Sequence, residues 1–402
     1  MEAILRNKLA LTCLGTLALC LSLDSTALAT FWYVDGVNGD DANTCKSPQN
    51  ACGTIGHAIS LASSGDSVIL LPATYTENLN ININLKLIGS AATSTIIDGG
   101  RVTHVVSILN SKAIVGLQKV TIRNGVAAGG GGILNFGTLA VINSTVSGNI
   151  AGSESSATGA GIRNNGRLTI TNSTISGNSG YSRMMYGGAI FNSGTLTITN
   201  STLSGNTAYG FLGGGGGGIY NSSGSVTIIN STLSGNSAHA PGGGGIYIAS
   251  GTVGINNATL SGNTAAGYKG GGIFVTKGST VTIQNSIVAN SSTAGNCYGT
   301  LTSHGYNLSS DTSCTLRGFH GSGDRNNMAP KLGTLGNYGG LTQTIPLLSG
   351  SPAIDTGNPS GCTDGQGHLL TKDQRGMLRP DPEDKDTIKP RCDRGAYESQ
   401  TD

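Results

Sequence analysis

Between residues 130 and 291, apolar and small polar residues alternate in short bursts, as in Gly194-Thr195-Leu196-Thr197-Ile198-Thr199-Asn200. A two-residue period sends one set of side chains inward and the other outward, which is the pattern of a strand with one buried face. No helical period competes with it. The bursts recur: Asn143-Ser144-Thr145-Val146-Ser147-Gly148-Asn149 returns with small changes at Asn172, Asn200, Asn230, Asn257 and Asn285, at spacings of 29, 28, 30, 27 and 28 residues. A Gly-rich segment ending in Ile133, Ile162, Ile190, Ile219, Ile246 or Ile273 precedes each copy. Self-similarity at such a period marks a solenoid, whose units bury apolar surface only against their neighbours.

Aligning the units predicts four inward ladders. The first is the Ile series just given. The second runs Leu139, Leu168, Leu196, Val226, Val253, Val281, and the third Val141, Ile170, Ile198, Ile228, Ile255, Ile283. The fourth is Val146, Ile175, Leu203, Leu233, Leu260, Val288. Three short strands separated by Gly and Asn turns therefore make one coil of about 28 residues, and coils stack in parallel register roughly 4.8 Å apart. Four buried aliphatics per coil stabilise it by at most ~6–12 kcal/mol before chain entropy is subtracted. The Asn143, Asn172, Asn200, Asn230, Asn257 and Asn285 series is expected to stack at a turn and hydrogen-bond along the axis. It also matches the Asn-x-Ser/Thr sequon, but a ladder alone explains its regular placement.

Composition agrees with a repeat. The 402 residues include 65 Gly, and only 11% are charged, unlike an ordinary globular enzyme. A net charge of +2 directs the chain to neither nucleic acid nor acidic membrane. Residues 1–29 read as an export signal: Arg6 and Lys8 precede an apolar run from Leu9 to Leu23, and Ala27-Leu28-Ala29 offers small residues for cleavage. That run is short for a bilayer span, Leu19 is too large for lipoprotein processing at Cys20, and no transmembrane stretch follows. Removing the signal leaves Cys45, Cys52, Cys297, Cys314, Cys362 and Cys392. An even number in an exported chain favours disulfides, and their grouping pairs neighbours in sequence, all outside the repeats. Neither a metal site nor a cofactor is expected, because no Cys-x-x-Cys pair is present and no His sits near a second ligand.

Both ends of such a column need covering, since open strand edges aggregate. Residues 54–62 have the apolar spacing of a short amphipathic helix able to plug the first coil, with strands at 67–71, 79–83, 85–88 and 95–98 beginning the winding. Tyr33-Val34-Asp35-Gly36, Asn38-Gly39-Asp40-Asp41, Cys45, Cys52-Gly53-Thr54-Ile55, Ala58-Ile59, Gly65-Asp66 and Thr74-Tyr75-Thr76-Glu77 resemble the opening of bacterial β-helix proteins of the pectin-lyase-like superfamily. The tail resembles the choice-of-anchor Q domain of bacterial surface proteins, in Ser351-Pro352-Ala353-Ile354-Asp355-Thr356-Gly357, Asp373-Gln374-Arg375-Gly376, Arg379-Pro380 and Cys392-Asp393-Arg394-Gly395-Ala396-Tyr397-Glu398. Gly187-Gly188-Ala189-Ile190 and the repeated Ser-Gly-Asn are more weakly similar to polymorphic outer-membrane adhesin repeats, whose Phe-x-x-Asn motif is missing. The resemblance implies an all-β, right-handed, single-stranded parallel β-helix with a helical N-terminal cap and an irregular C-terminal cap. The division expected is signal 1–29, N-terminal cap 30–66, β-helix 67–310 and anchor-Q-like cap 311–402. The chain ends at Asp402 without an apolar tail or sorting motif, so free secretion or non-covalent retention is expected over anchoring.

Catalysis is tested by the acids. Polysaccharide lyases and hydrolases share this superfamily. A glycosidase needs two carboxylates, and a calcium-assisted lyase needs acidic ligands plus a base. Residues 101–310 hold nine bases and one acid, Glu154. One carboxylate can do neither job. The acids of the tail, Asp355, Asp364, Asp373, Asp381, Glu383, Asp384, Asp386, Asp393 and Glu398, lie among Arg375, Arg379, Arg391 and Arg394. They read as ion pairs and turn caps that fix the terminal segment. Asp40, Asp41 and Asn43 offer the donors of a calcium loop but read first as turn residues. A binding or structural module, adhesin-like or glycan-binding, is therefore expected before a lyase or hydrolase. Loops of variable length should gather as a lateral ridge bearing Tyr181, Arg183, Tyr186, Tyr209, Phe211, His239 and Tyr268. There they would meet an extracellular polysaccharide or a surface protein, or simply cover glycine-rich backbone.

Overall fold

The computed structural model describes residues 29–239, 242–267, 269–291, 295–381 and 391–400. The export signal expected at residues 1–29 lies, apart from Ala29, outside them. The alternating segments wind into parallel sheets whose strands pair with their equivalents one coil away. The Ile segments form a nine-stranded sheet I, the Leu-x-Ile segments an eleven-stranded sheet II and the Thr-x-Ser segments a ten-stranded sheet III. Register is like on like: Leu139 opposes Leu168, Leu168 opposes Leu196 and Leu196 opposes Val226. All four expected ladders are buried in one continuous column.

The ridge is more ordered than loops of unequal length would imply. Val126–Ala127, Ile150–Gly152, Ser156–Thr158, Ser179–Tyr186, Thr207–Gly215, Ser237–Ala238 and Thr264–Ala265 pair as a fourth parallel sheet. Ala151, Ala157, Ala160, Met185 and Ala208 pack beneath it as a small core of their own.

The asparagines divide the work differently from expectation. Asn143 and its equivalents hold the corner between sheets II and III with φ of 48–50°, a left-handed conformation that Asn tolerates. Their side chains turn outward, and among the described residues only Asn285 Nδ2 reaches its neighbour, Asn257 Oδ1, at 2.8 Å. The axial stacks are built from two other series. Asn149, Asn178, Asn206, Asn236 and Asn263 are linked Nδ2 to Oδ1 at 2.9–3.0 Å. Asn135, Asn164, Asn192 and Asn221 are linked at 2.7–2.8 Å. Both series are wholly buried, where an unpaired amide is costly, so each must be satisfied by its neighbour. Asn178 donates to Asn206 and to the Val146 carbonyl and accepts from the backbone N–H of Asn149.

At the N-terminus the strand Phe31–Val34 already belongs to sheet II, pairing with Ser67–Leu70. The helix Ile55–Leu61 buries Ile55 and Ala58. Its start is fixed by Thr54, which accepts from His57 N–H, and by Glu77, whose carboxylate accepts from Ile55 and Gly56 N–H. The disulfides Cys45–Cys52, Cys297–Cys314 and Cys362–Cys392 are those expected. Asp40 and Asp41 serve as turn acceptors, for Ala42 N–H and for Gly53 and Thr54 N–H.

Beyond the last coil the chain does more than close the end. Residues 327–381 and 391–400 lie along the outside of sheet III as a flank. Leu347 and Ala353 pack on Ile287, Ala289 and Leu308, and Thr342 and Gln343 reach Asn200 and Thr202.

The ladders give a direct test. Ile198→Asp is expected to cost well over ~3 kcal/mol, because it places an unpaired charge in the column, whereas Thr197→Asp on the outward face should cost less than about 1 kcal/mol. Urea unfolding of the two variants checks this, and equal losses would contradict the assigned faces.

Candidate functional site

Two groups of rings arise from the register. In sheet I the residue after each inward Ile points outward, and pairing sets Arg163, Phe191, Tyr220, Tyr247, Phe274 and Tyr298 in one line. The five rings stack at centroid separations of 5.8, 4.9, 4.7 and 4.9 Å. Arg163 covers the outer face of Phe191, while Lys269 and Arg317 cover Tyr298. Glycine backbone lies against the row: a Cβ on Gly215 would stand 2.7 Å from Tyr247 Cδ2. Burial raises the phenol pKa of Tyr220 and Tyr247. The ring faces are spent on one another and on cations, so this ladder is chiefly a brace. Its far end borders a hollow of about 250 Å³ lined by Tyr298, Lys277 and Arg317. The sequence reading missed this row, although a ring directly after each of Ile190, Ile219, Ile246 and Ile273 was its signal.

The second group lies on the ridge sheet. Strand alternation puts Tyr181 and Arg183 on the outward face of Ser179–Tyr186. Register sets Gly152, Tyr181 and Tyr209 side by side, with His239 next to Tyr209. Tyr181 stacks on Tyr209 at 5.1 Å and 20°, and Phe211 stands edge-on to both at 4.8 and 5.2 Å. Tyr181 is 58% exposed, Phe211 54% and the adjacent Leu212 76%. On the other side of Tyr181 the in-register neighbour is Gly152, which has no side chain. On that side Tyr181 has no in-register side chain beside it, and its ring stays exposed.

The expected ridge residues thus divide. Tyr181, Tyr209, Phe211 and His239 come together. Arg183 is exposed on the same strand. Tyr186 leaves them for the sheet I ladder, edge-on to Tyr220 at 4.8 Å. Tyr268 lies outside the described residues.

Asp373, Asp393 and Glu398 of the flank are held in a buried polar cluster, while Asp364 is half-buried and pairs with the exposed His368. Arg379 Nε pairs with Glu398 at 2.7 Å, both wholly buried, and Arg375 pairs with Asp373 at 2.7 Å. Arg379 also donates to Asn230 Oδ1 and Arg394 to the Asn307 carbonyl, tying the flank to the coils. Asp393 accepts from the N–H groups of Asp355 and Ser399. Burial, together with the Glu398 charge, pushes Asp393 up to about 8, and burial pushes Glu398 up to about 7. These carboxyls are committed to the fold. Glu383, Asp384 and Asp386 lie outside the described residues. The one His/Cys/acid cluster of metal-holding geometry among those residues is Cys45, Cys52 and His57, and its sulfurs are spent in a disulfide.

Comparison with known proteins agrees with the architecture. Residues 104–288 match the family model described as right handed beta helix region. The body of the chain is thus a right-handed parallel β-helix. No curated protein sequence matches the chain. Among solved structures, pectate lyase Pel9A is 14% identical with a TM-score of 0.48, covering 92% of this chain and 96% of its own. A pectin methylesterase from Aspergillus niger in penultimately deglycosylated form is 14% identical with a TM-score of 0.35, covering 73% and 84%. Its deglycosylated form gives 14% and 0.34, covering 74% and 84%. Likeness of this degree transfers no activity to the present chain.

The buried carboxyl pair sets a pH dependence. The ordinary values of Asp393 and Glu398 are 3.8 and 4.5, so between about pH 4 and 8 the folded chain binds more protons than the unfolded one. Stability contributed by the pair is complete below the ordinary values and is lost as pH rises through the folded ones. The thermal midpoint should therefore fall from pH 5 to pH 8, and it should fall less in the Asp393→Asn, Glu398→Gln double variant. Parallel profiles for the two proteins would contradict this.

Proposed function

We propose that this protein is exported and acts outside the cell as a binding module for an extended polysaccharide, held on the ridge sheet. One observation carries the reading: the exposed ring of Tyr181, with no in-register side chain on its Gly152 side, continued by Tyr209 and Phe211 one coil on and by His239 a coil beyond. A flat apolar ring face is what a sugar ring stacks on, and each such contact contributes ~0.5–1.5 kcal/mol. A rod with contacts repeated along its length suits a repetitive ligand engaged by several weak contacts. Extracellular placement is supported by three disulfides, which persist in oxidising surroundings. The export signal supports it as well. The likeness of the tail to choice-of-anchor Q domains supports retention at a bacterial surface. Binding is favoured over cleavage because Glu154 is the single acid of residues 101–310, while Asp373, Asp393 and Glu398 are buried in the flank.

The test is a glycan array, with a parallel depolymerisation assay, on residues 30–402. A bound glycan of unchanged length is expected. Replacing Tyr181, Tyr209 and Phe211 together with Ser should lower its affinity at least tenfold while the circular dichroism spectrum is kept. Tyr186→Ser should leave affinity within about twofold, because Tyr186 serves the other row. A triple variant that binds as wild type would overturn the reading, and so would shortening of the glycan.

A further inference from the structure

The flank does not cover the whole of sheet III, and the place where it stops is shaped like the track it occupies. In-register pairing lines up one threonine per coil on the outer face: Thr121, Thr145, Thr174, Thr202, Thr232 and Thr259. The flank buries the last three. Thr202 donates to the Gln343 carbonyl, Thr232 to the Gln374 side chain, and Thr259 accepts from Ala396 N–H. The corner asparagines of these coils are engaged as well: Asn230 and Asn257 donate to the Lys372 and Thr363 carbonyls. At the opposite end of the row, Thr121 donates to the Ala92 carbonyl at 2.6 Å. Backbone carbonyls thus take the threonine hydroxyls on both sides of a gap.

The gap spans two coils. Thr145 and Thr174 are half-exposed and have no side-chain partner among the described residues. With Asn143 and Asn172 they line a cavity of about 330 Å³, closed at one end by residues 90–93 with Lys119 and at the other by Leu341. Asn143 Oδ1 is buried and unpartnered. Leu341, at the leading edge of the flank, is 72% exposed.

We infer that this gap is a docking site for a short extended peptide of a partner protein, which continues the track of the flank. Its backbone carbonyls accept from Thr145 and Thr174 and, as the flank's do from Asn230 and Asn257, from the side-chain amides of Asn143 and Asn172. An acidic side chain meets Lys119, the single charged residue of the lining, and an apolar one covers Leu341. Thr121 and Thr202 are three coil steps apart, about 14 Å, which an extended chain spans in roughly four residues. The site is separate from the ridge and does not depend on the ridge binding glycan.

The experiment uses the mature chain, residues 30–402, against an immobilised array of acetylated hexapeptides with Leu at one end, Glu at the other and Ser or Thr between. The same sequences with Lys in place of Glu, and galacturonate oligomers, serve as alternatives. Selective binding of Glu peptides is expected. Thr174→Trp, which fills the gap, should reduce it at least tenfold, and Lys119→Glu should reverse the preference toward Lys peptides. Lys119 is exposed, so that variant keeps the test alive if Thr174→Trp does not fold. Absence of a Glu preference, Glu binding unchanged by Lys119→Glu, or a galacturonate signal that Thr174→Trp removes would each overturn the inference.

Discussion

Axial register is the constraint on which the rest depends. Each strand pairs with its equivalent one coil away, so every position of the repeat is stacked on itself. A slip by one residue would turn every ladder inside out. Under that rule an apolar position becomes a column of core, a buried amide becomes an amide stack that satisfies itself, and an outward ring becomes a row of rings. Sheet I shows the consequence most directly. Its aromatic row adds face-to-face contacts along the axis, with cations closing both ends.

Register also explains why the ridge can be a surface with defined geometry. Tyr181 and Tyr209 are fixed at one backbone step because Ser179–Tyr186 and Thr207–Gly215 are paired. Tyr181 has no side chain in register on one side because the equivalent position one coil earlier is Gly152. The flank obeys a different logic. It does not repeat, and it reads the periodic outer face of sheet III through Gln343, Gln374, Arg379 and Ala396. Buried ion pairs such as Arg379–Glu398 contribute little net stability. Their fixed hydrogen bonds set where the flank lies.

Much of the column was legible because it follows from two periods. The alternation at Leu196, Ile198 and Leu203 names inward residues, and the repeat of about 28 residues names their neighbours. The cysteine pairs were legible from their grouping. The asparagines were not, since the motif carries two, and composition does not say that Asn143 takes the left-handed corner while Asn149 turns inward. The fourth sheet was not legible because its strands share no repeated pattern: Ser179–Tyr186 and Thr207–Gly215 place like on like only where Tyr181 meets Tyr209. The path of the flank depends on single long-range contacts, such as Thr202 with Gln343, which leave no periodic trace. Of the candidate site, the residue types on the ridge were legible. Their division between two ring groups was not, because it turns on whether a side chain faces Gly152 or Tyr220.

The central claim is that register extends from the core into the ridge and holds its rings in place. Amide hydrogen exchange in the mature, unliganded protein tests it most directly. The N–H groups of Tyr181 and Tyr209 should exchange as slowly as those of Thr169 and Thr197 in sheet II. Exchange at the rate of an unstructured chain would contradict the account, leaving the ridge a set of loops with no surface for a ligand to read.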